Sequence, residues 1–196
     1  YYNSNGLPSS LCGNGTRCLF SFSLSLGIIE KTAKIETSEG VFSASISDNK
    51  LVSLKMKNID DIILFENKAY LNSGSPHHVE MTNDLNKISV KEMGSSIRFS
   101  NRYLPNGTNV NFCSKISDKK FEIRTYERGV ENETLSCGTG ATAVAIAVHA
   151  MGLTKKNRII IQTRGGELII SFQVSETGYK NIFLEGPTRF VFKGEY

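Results

Sequence analysis

Two cysteines each stand directly before a Gly-x-Gly turn and an apolar run: Cys12-Gly13-Asn14-Gly15, and Cys137-Gly138-Thr139-Gly140 followed by an alanine-rich stretch to Gly152. This pattern places a thiol at the start of a helix. Unpaired backbone N–H groups and the positive end of the helix dipole, about half a charge, favour a thiolate there. Such a thiolate can act as a base or a nucleophile, and the open N–H groups of the Gly-x-Gly can hold an anion such as a carboxylate. One motif alone reads more plainly as a small buried residue before a turn.

The motif is duplicated together with its flanks. Cys12 and Cys137 are 125 residues apart, as are Gly27 and Gly152, so both helices run the same length from thiol to terminal glycine. Upstream, Tyr2-Asn3 parallels Tyr126-Glu127; downstream, Ile35-Glu36-Thr37 and Gly40 parallel Ile161-Gln162-Thr163 and Gly166. Two similar halves imply two thiols facing one cleft across a pseudo-two-fold axis. A carbon bearing a carboxylate would then lie between two sulfurs. That geometry suits inversion of a stereocentre, with one thiolate removing the proton and the opposite thiol delivering another.

Further candidates sit near these thiols. Glu127 and Arg128, in Tyr126-Glu-Arg-Gly129, end a strand beside Cys137, where they could handle a proton and bind an anionic group, or simply pair on the surface. His77, after Gly74-Ser75-Pro76, opens a strand and could orient a cysteine or act itself; a lone histidine is as readily structural. Asn3 and Asn109 lie at strand edges within reach of an amino-acid ligand. Cys18 and Cys113 read as structural, and His149 as a helix-face residue.

The elements that must hold these residues follow from periodicity. Residues 14–26 carry Cys18, Leu19, Phe22 and Leu26 at helical spacing, widened by Phe20 and Leu24, which predicts a core helix capped by Gly27. Residues 33–37 and 41–47 alternate as a hairpin, 51–56 continue as a strand, and Asn58-Ile-Asp-Asp61 breaks the pattern. Strands are expected at 62–65, 68–72, 77–81, 109–114 and 120–126, with a weakly helical stretch at 83–94. A short helix or strand follows at 97–101. After the second thiol helix come strands at 158–163, 167–174, 181–185 and 189–193. The expected division is residues 1–57 for the remainder of a first domain, to which 186–196 return, and 58–185 for a second.

With 196 residues, 39% hydrophobic, 21% charged and 17 glycines, the composition is that of an ordinary globular protein. No apolar run approaches the roughly 18 residues of a membrane span. The net charge of +4 is dispersed, which argues against a nucleic-acid surface. Four cysteines without CxxC spacing, and no secretory leader, point to free thiols in the cytoplasm. Tyr1-Tyr2-Asn3 enter in strand-like register without an initiating Met, so the chain is expected to begin inside a longer protein.

In order, Asn3, Cys12-Gly-Asn-Gly-Thr-Arg-Cys18, Gly74-Ser-Pro-His77, Tyr126-Glu-Arg-Gly129 and Cys137-Gly-Thr-Gly140 resemble the diaminopimelate epimerases over nearly the whole chain. The resemblance implies an α/β (α+β) fold of two pseudo-symmetric domains, each a curved, mainly antiparallel sheet wrapped around a central helix, commonly in a homodimer. It implies a two-base epimerase without cofactor or metal that interconverts LL- and meso-diaminopimelate for lysine and cell-wall synthesis. Cys12 and Cys137 would be the acid/base thiols, assisted by His77 and Glu127. Gly13, Asn14, Gly138 and Thr139 would hold the α-carboxylate, and Asn3, Asn109 and Arg128 the distal end of the substrate. Ser75 stands where many relatives have Asn, shortening one contact to that end. The family's opening Gly-Thr-Gly-Asn-Asp segment has no counterpart in these residues, so the resemblance implies that part of the first domain lies outside them. A proline or hydroxyproline racemase, a fragment that only binds ligand, and a thiol redox protein are the competing readings; Arg128 and the asparagines favour a substrate with a second amino-acid head group.

Overall fold

The computed structural model describes Tyr2, Gly6, residues 11–38 and residues 40–195. Two helices of equal length, α1 (Gly13–Ser25) and α3 (Gly138–Ala150), are the repeated centres of the two halves. Each is followed by a hairpin, β1 (Thr32–Thr37) with β2 (Gly40–Ile46), and β10 (Arg158–Thr163) with β11 (Gly166–Ser175). The duplication extends to single hydrogen bonds. The Thr37 hydroxyl donates to Gly40 O at 3.0 Å and the Thr163 hydroxyl to Gly166 O at 2.8 Å. Both helices close alike: Ile28 N bonds Ser23 O and Leu153 N bonds Val148 O, each at 3.0 Å, across Gly27 and Gly152 at φ 69° and 74°. Only glycine adopts that backbone without strain, which is why both helices end there.

Between these units lie β3 (Leu51–Lys55), β4 (Ile62–Phe65), β5 (Lys68–Asn72), β6 (Pro76–Met81), α2 (Val90–Arg98), β7 (Asn109–Ser117), β8 (Lys120–Glu127) and β9 (Asn132–Thr134); β12 (Gly178–Pro187) follows β11. The strands join in one curved sheet in the order β1-β2-β3-β12-β11-β10-β8-β7-β6-β5-β4, with β9 against β8. Pairing is antiparallel except β6 with β7 and β10 with β8. These two parallel steps need crossovers, and the chain supplies helices: α2 in the first, α3 in the second. The fold is thus α+β, with the sheet wrapped around helices that it buries.

The two central helices differ in burial. Every residue of α3 from Gly138 to Val148 is buried, as its apolar run dictates. The expectation that α1 is equally enclosed is not met: Leu19, Phe22 and Leu26 are 53%, 56% and 56% exposed, and Cys18 is exposed too. Its buried face is Gly13, Thr16, Arg17 and Phe20. Phe22 and Leu26 lie on the stripe that the sheet leaves uncovered among the described residues. The remaining differences are local. The polar stretch after β6 forms a helix that reaches Arg98 instead of ending near 94, the segment before Cys137, where no element is expected, contains β9, and the final strand is continuous from 178 to 187 with none at 189–193.

β12 pairs β11 on one side and β3 on the other, where Phe183 to Pro187 match Lys55 to Leu51. It therefore carries the sheet from one half to the other.

Candidate active site

The two helix starts abut. A Cβ placed on Gly138 would fall 3.4 Å from the Cα of Gly13, and both glycines rest on Leu184 of β12, whose Cδ2 lies 2.8–2.9 Å from either imagined Cβ. A Cβ at Gly13 or Gly138 would displace the Leu184 side chain, and it would fill the remaining contact distance between the two helix starts. Cys12 and Cys137, each one residue earlier, are the N-caps of α1 and α3 in extended conformation, and their sulfurs accept Gly15 N and Gly140 N, both at 3.3 Å. Thr16 N and Ala141 N return to the cap carbonyls at 2.9 Å. The N–H groups of Gly13, Asn14, Gly138 and Thr139 then have no acceptor among the described residues. Four free donors converge from two positive helix ends, which is the chemistry of a carboxylate cradle.

Side chains pin this junction. Asn14 Nδ2 donates across it to Ser136 O at 3.1 Å, and its Oδ1 accepts Arg17 Nη2 at 2.9 Å. Arg17 is itself buried, holds Gly13 O through Nη1 at 3.2 Å, and has no ion-pair partner among the described residues. Thr142, its counterpart in α3, does the same for Gly138 O at 3.0 Å with a hydroxyl.

Cys12 is partly exposed and Cys137 only 7% exposed. The expectation that a helix start leaves a thiolate fails at Cys137. Burial, and behind it the charge of Glu127, push its thiol up to about 12; the Thr139 hydroxyl and Gly140 N–H pull the other way and lose. Cys137 rests as a thiol. Glu127, ending β8, is itself held above the usual carboxylate range by burial, opposed by the Thr134 hydroxyl, which donates to its Oε2 at 2.8 Å. β9 is what brings Thr134 there.

His77 is fully buried and stays neutral, with its pKa lowered to about 3 by burial and by Arg128. It reaches Cys137 only through Thr139: Nε2 lies 3.0 Å from the Thr139 hydroxyl, which lies 3.4 Å from the Cys137 sulfur. Ser73 fixes the same residue from its backbone side, donating to Thr139 O at 2.7 Å.

Ser75, Asn109 and Arg128 form a second cluster. Asn109 Nδ2 donates to Ser75 Oγ and Pro76 O, both at 2.9 Å, and its Oδ1 accepts Arg128 N at 2.9 Å. The Arg128 guanidinium spans Asn106 O at 3.2 Å and Ser75 Oγ at 3.4 Å, and makes no ion pair among the described residues. It lines a cavity of about 490 Å³ with Tyr70, Asn72, Pro76 and Asn106. A half-buried guanidinium without a carboxylate partner among the described residues, at such a wall, is suited to an anionic group of a ligand. Asn3 lies outside the described residues. Asn111, Thr125 and Leu184 touch the site without having been singled out in the sequence.

Comparison with known proteins follows the same lines. The family model for diaminopimelate epimerase matches residues 69–191. A diaminopimelate epimerase from Flavobacterium psychrophilum is 48% identical over 193 residues, covering 98% of this chain and 75% of that protein. One from Aquifex aeolicus is 38% identical over 203 residues, covering 99% and 72%. Among solved structures, a PhzF-family phenazine biosynthesis protein from Bacillus anthracis superposes with TM-score 0.73 at 13% identity, covering 93% of this chain and 74% of that one. A hydroxyproline epimerase from Agrobacterium vitis, solved with trans-4-hydroxy-L-proline, superposes with TM-score 0.64 at 19% identity, covering 91% and 64%. Those distant structures share the architecture, whereas sequence identity of this extent over nearly the whole chain decides the lineage: the chain belongs to the diaminopimelate epimerase family.

Proposed function

We propose that the protein is a two-base epimerase that interconverts LL- and meso-diaminopimelate, with Cys12 and Cys137 as its proton carriers. The observation that carries this reading is the abutment of two N-cap cysteines at Gly13 and Gly138. The α-carboxylate is held by the free N–H groups of Gly13, Asn14, Gly138 and Thr139, which brings the α-carbon between the sulfurs. Cys137, a thiol at rest, is ready to donate. In that direction the Cys12 thiolate takes the α-proton from one face, the C–H electron pair is left on carbon, and the Cys137 S–H proton is delivered to the opposite face. The reverse reaction exchanges the roles. The negative charge that arrives at Cys137 meets Gly140 N–H, the Thr139 hydroxyl and the α3 dipole. Glu127 raises the proton affinity of Cys137 and His77 acts on it through Thr139.

Arg128, Asn109 and Ser75 take the distal carboxylate and amine. This cluster favours diaminopimelate over a proline-type substrate, whose pyrrolidine ring has no second head group to use it. The homodimer and the cytoplasmic setting implied by the resemblance belong to the same proposal, as does the division of the chain near residue 58. No helix among the described residues is long and apolar enough to cross a membrane.

The test is NMR of LL-diaminopimelate in D₂O with the reduced protein and its Cys12→Ala and Cys137→Ala variants. Conversion to the meso isomer with deuterium at the α-carbon, abolished in both variants, is the expected outcome. Epimerisation that survives loss of either thiol would overturn the two-base mechanism.

A further inference from the structure

Asn111 lies on β7 two residues beyond Asn109, so both side chains project from the same side of the strand toward the site. It is fully buried, and all its polar atoms are engaged. Nδ2 lies 3.0 Å from His78 O and 3.0 Å from His77 Nδ1, while Oδ1 accepts the Thr125 hydroxyl at 2.9 Å. A backbone carbonyl can only accept, so the atom facing His78 O is the amide nitrogen. Its second N–H then points at His77 Nδ1, which must be the unprotonated ring nitrogen. The single proton of the neutral ring sits on Nε2 and is donated to Thr139 Oγ1. Among the described residues, the acceptor left for Thr139's own proton is the Cys137 sulfur. Every link runs one way: Thr125 to Asn111 to His77 to Thr139 to sulfur.

We infer that Asn111 is a positioning residue of the epimerase reaction, one that locks His77 in its Nε2–H form and so aims the Thr139 hydroxyl at Cys137. The inference rests on the two-thiol reading above. It explains why a fully buried histidine that cannot serve as a base stands behind a catalytic thiol: it is a fixed donor, useful when the sulfur becomes anionic. It also explains the second glycine of Cys137-Gly-Thr-Gly140, since a Cβ there would lie 2.6 Å from Asn111 Oδ1. The first half has no counterpart among the described residues. A Cβ on Gly15 would meet, among the described residues, only atoms of Cys12 within 4 Å. Among the described residues the relay thus reaches Cys137 and not Cys12.

The alternative is that Asn111 merely satisfies a buried histidine, and stability alone would not separate the two. The separating readouts are the ¹⁵N shifts of His77, which report its tautomer, and the rate of iodoacetamide alkylation of Cys137 at fixed pH, resolved by peptide mass spectrometry. The charged or titratable groups bearing on these two residues are Glu127 and Cys12 at Cys137, and Arg128 at His77. These groups are unchanged in the variants; Asn111→Asp adds a carboxylate of its own beside His77, and Thr139→Val adds no charge, so it separates the relay from that new charge. In the native protein Nδ1 should appear unprotonated and Nε2 protonated. In Asn111→Asp the carboxylate accepts from the ring, the proton moves to Nδ1, and Nε2 takes the Thr139 proton away from sulfur. Alkylation of Cys137 and kcat should each fall by about tenfold or more, the effect of one lost hydrogen bond to an anion. Thr139→Val, which leaves Asn111 in place, should reproduce the slower alkylation with the Nε2–H tautomer intact, and Thr139→Ser should restore the native rate. An Nδ1–H tautomer in the native protein, or native alkylation in Thr139→Val, would overturn the proposal. Both readouts need no substrate, so they stand or fall apart from the diaminopimelate assay.

Discussion

The paired glycines Gly15 and Gly140 offer a stringent test of how the two half-sites differ. They occupy the same place in duplicated helices, and both N–H groups bond a cysteine sulfur at 3.3 Å. Alanine in place of glycine within a helix contributes up to about 1 kcal/mol of stability through reduced backbone freedom. At Gly15 little among the described residues opposes that gain, because the added methyl would sit 3.4 Å from Cys12 Sγ and 3.6 Å from its Cβ, ordinary contact distances. At Gly140 the methyl would lie 2.6 Å from Asn111 Oδ1 and 3.3 Å from the Cys137 side chain. The overpacking costs about 1–3 kcal/mol. If Asn111 turns away to relieve it, His78 O and the Thr125 hydroxyl lose buried partners, at about 1–3 kcal/mol more. Gly140→Ala should thus be destabilised by about 1–5 kcal/mol while Gly15→Ala is neutral or stabilised by up to about 1 kcal/mol. Thermal unfolding by calorimetry or circular dichroism reads this directly, since 1 kcal/mol corresponds to roughly 2–4 °C in a chain of this size. A Gly140→Ala protein that melts at or above the temperature of Gly15→Ala would refute both the crowding argument and the asymmetry of the two thiol sites.

Three further outcomes are expected. Glu127→Gln removes the charge that helps keep Cys137 protonated, so its thiol pKa should fall and its alkylation at fixed pH should quicken, as mass spectrometry would show. Arg124→Met should lower stability by about 2–3 kcal/mol in urea unfolding. Arg124 forks Glu133 through Nε and Nη2, both at 2.8 Å, and ties Leu85 O and Ile88 O through Nη1 at 2.8 and 3.0 Å. Its bonds hold the Glu133 carboxyl below the usual range, so that pair stabilises the fold above the unfolded carboxyl pKa, and the contribution is lost as pH falls through the folded value. Stability measured from about pH 6 down to about pH 3 should therefore drop more steeply in the native protein than in Arg124→Met.

The repeated helix-and-hairpin units were legible in the sequence because the duplication preserved their chemistry residue by residue, down to Thr37 with Gly40 and Thr163 with Gly166. Both thiols and their glycines were legible for the same reason. Burial was less so. Phe22 and Leu26 follow the helical period as an interior face would, but periodicity reports which side of a helix is apolar and not whether the sheet covers it. The resting state of Cys137 was misjudged on similar grounds, because the helix start is a local feature and the desolvation that outweighs it is set by every layer packed above. Asn111 could have been found: once Asn109 was chosen, the two-residue period of a strand placed its neighbour on the same side. Leu184 carried no such signal, being one apolar residue among many in a strand.

That leucine has a consequence for how the protein is made. Gly13 and Gly138 both rest on Leu184, and β12, which bears it, also completes the pairing of β3. During synthesis β3 emerges more than 120 residues before its partner, with Val52 and Leu54, fully buried in the end, standing uncovered on an unpaired edge. A contact of such long range forms slowly, and its exposed edge is a natural substrate for chaperones. The floor shared by the two thiol-bearing helix starts is therefore supplied last, by residues 178–187, and a chain cut short of them should retain both cysteines without the Leu184 side chain that both glycines rest on.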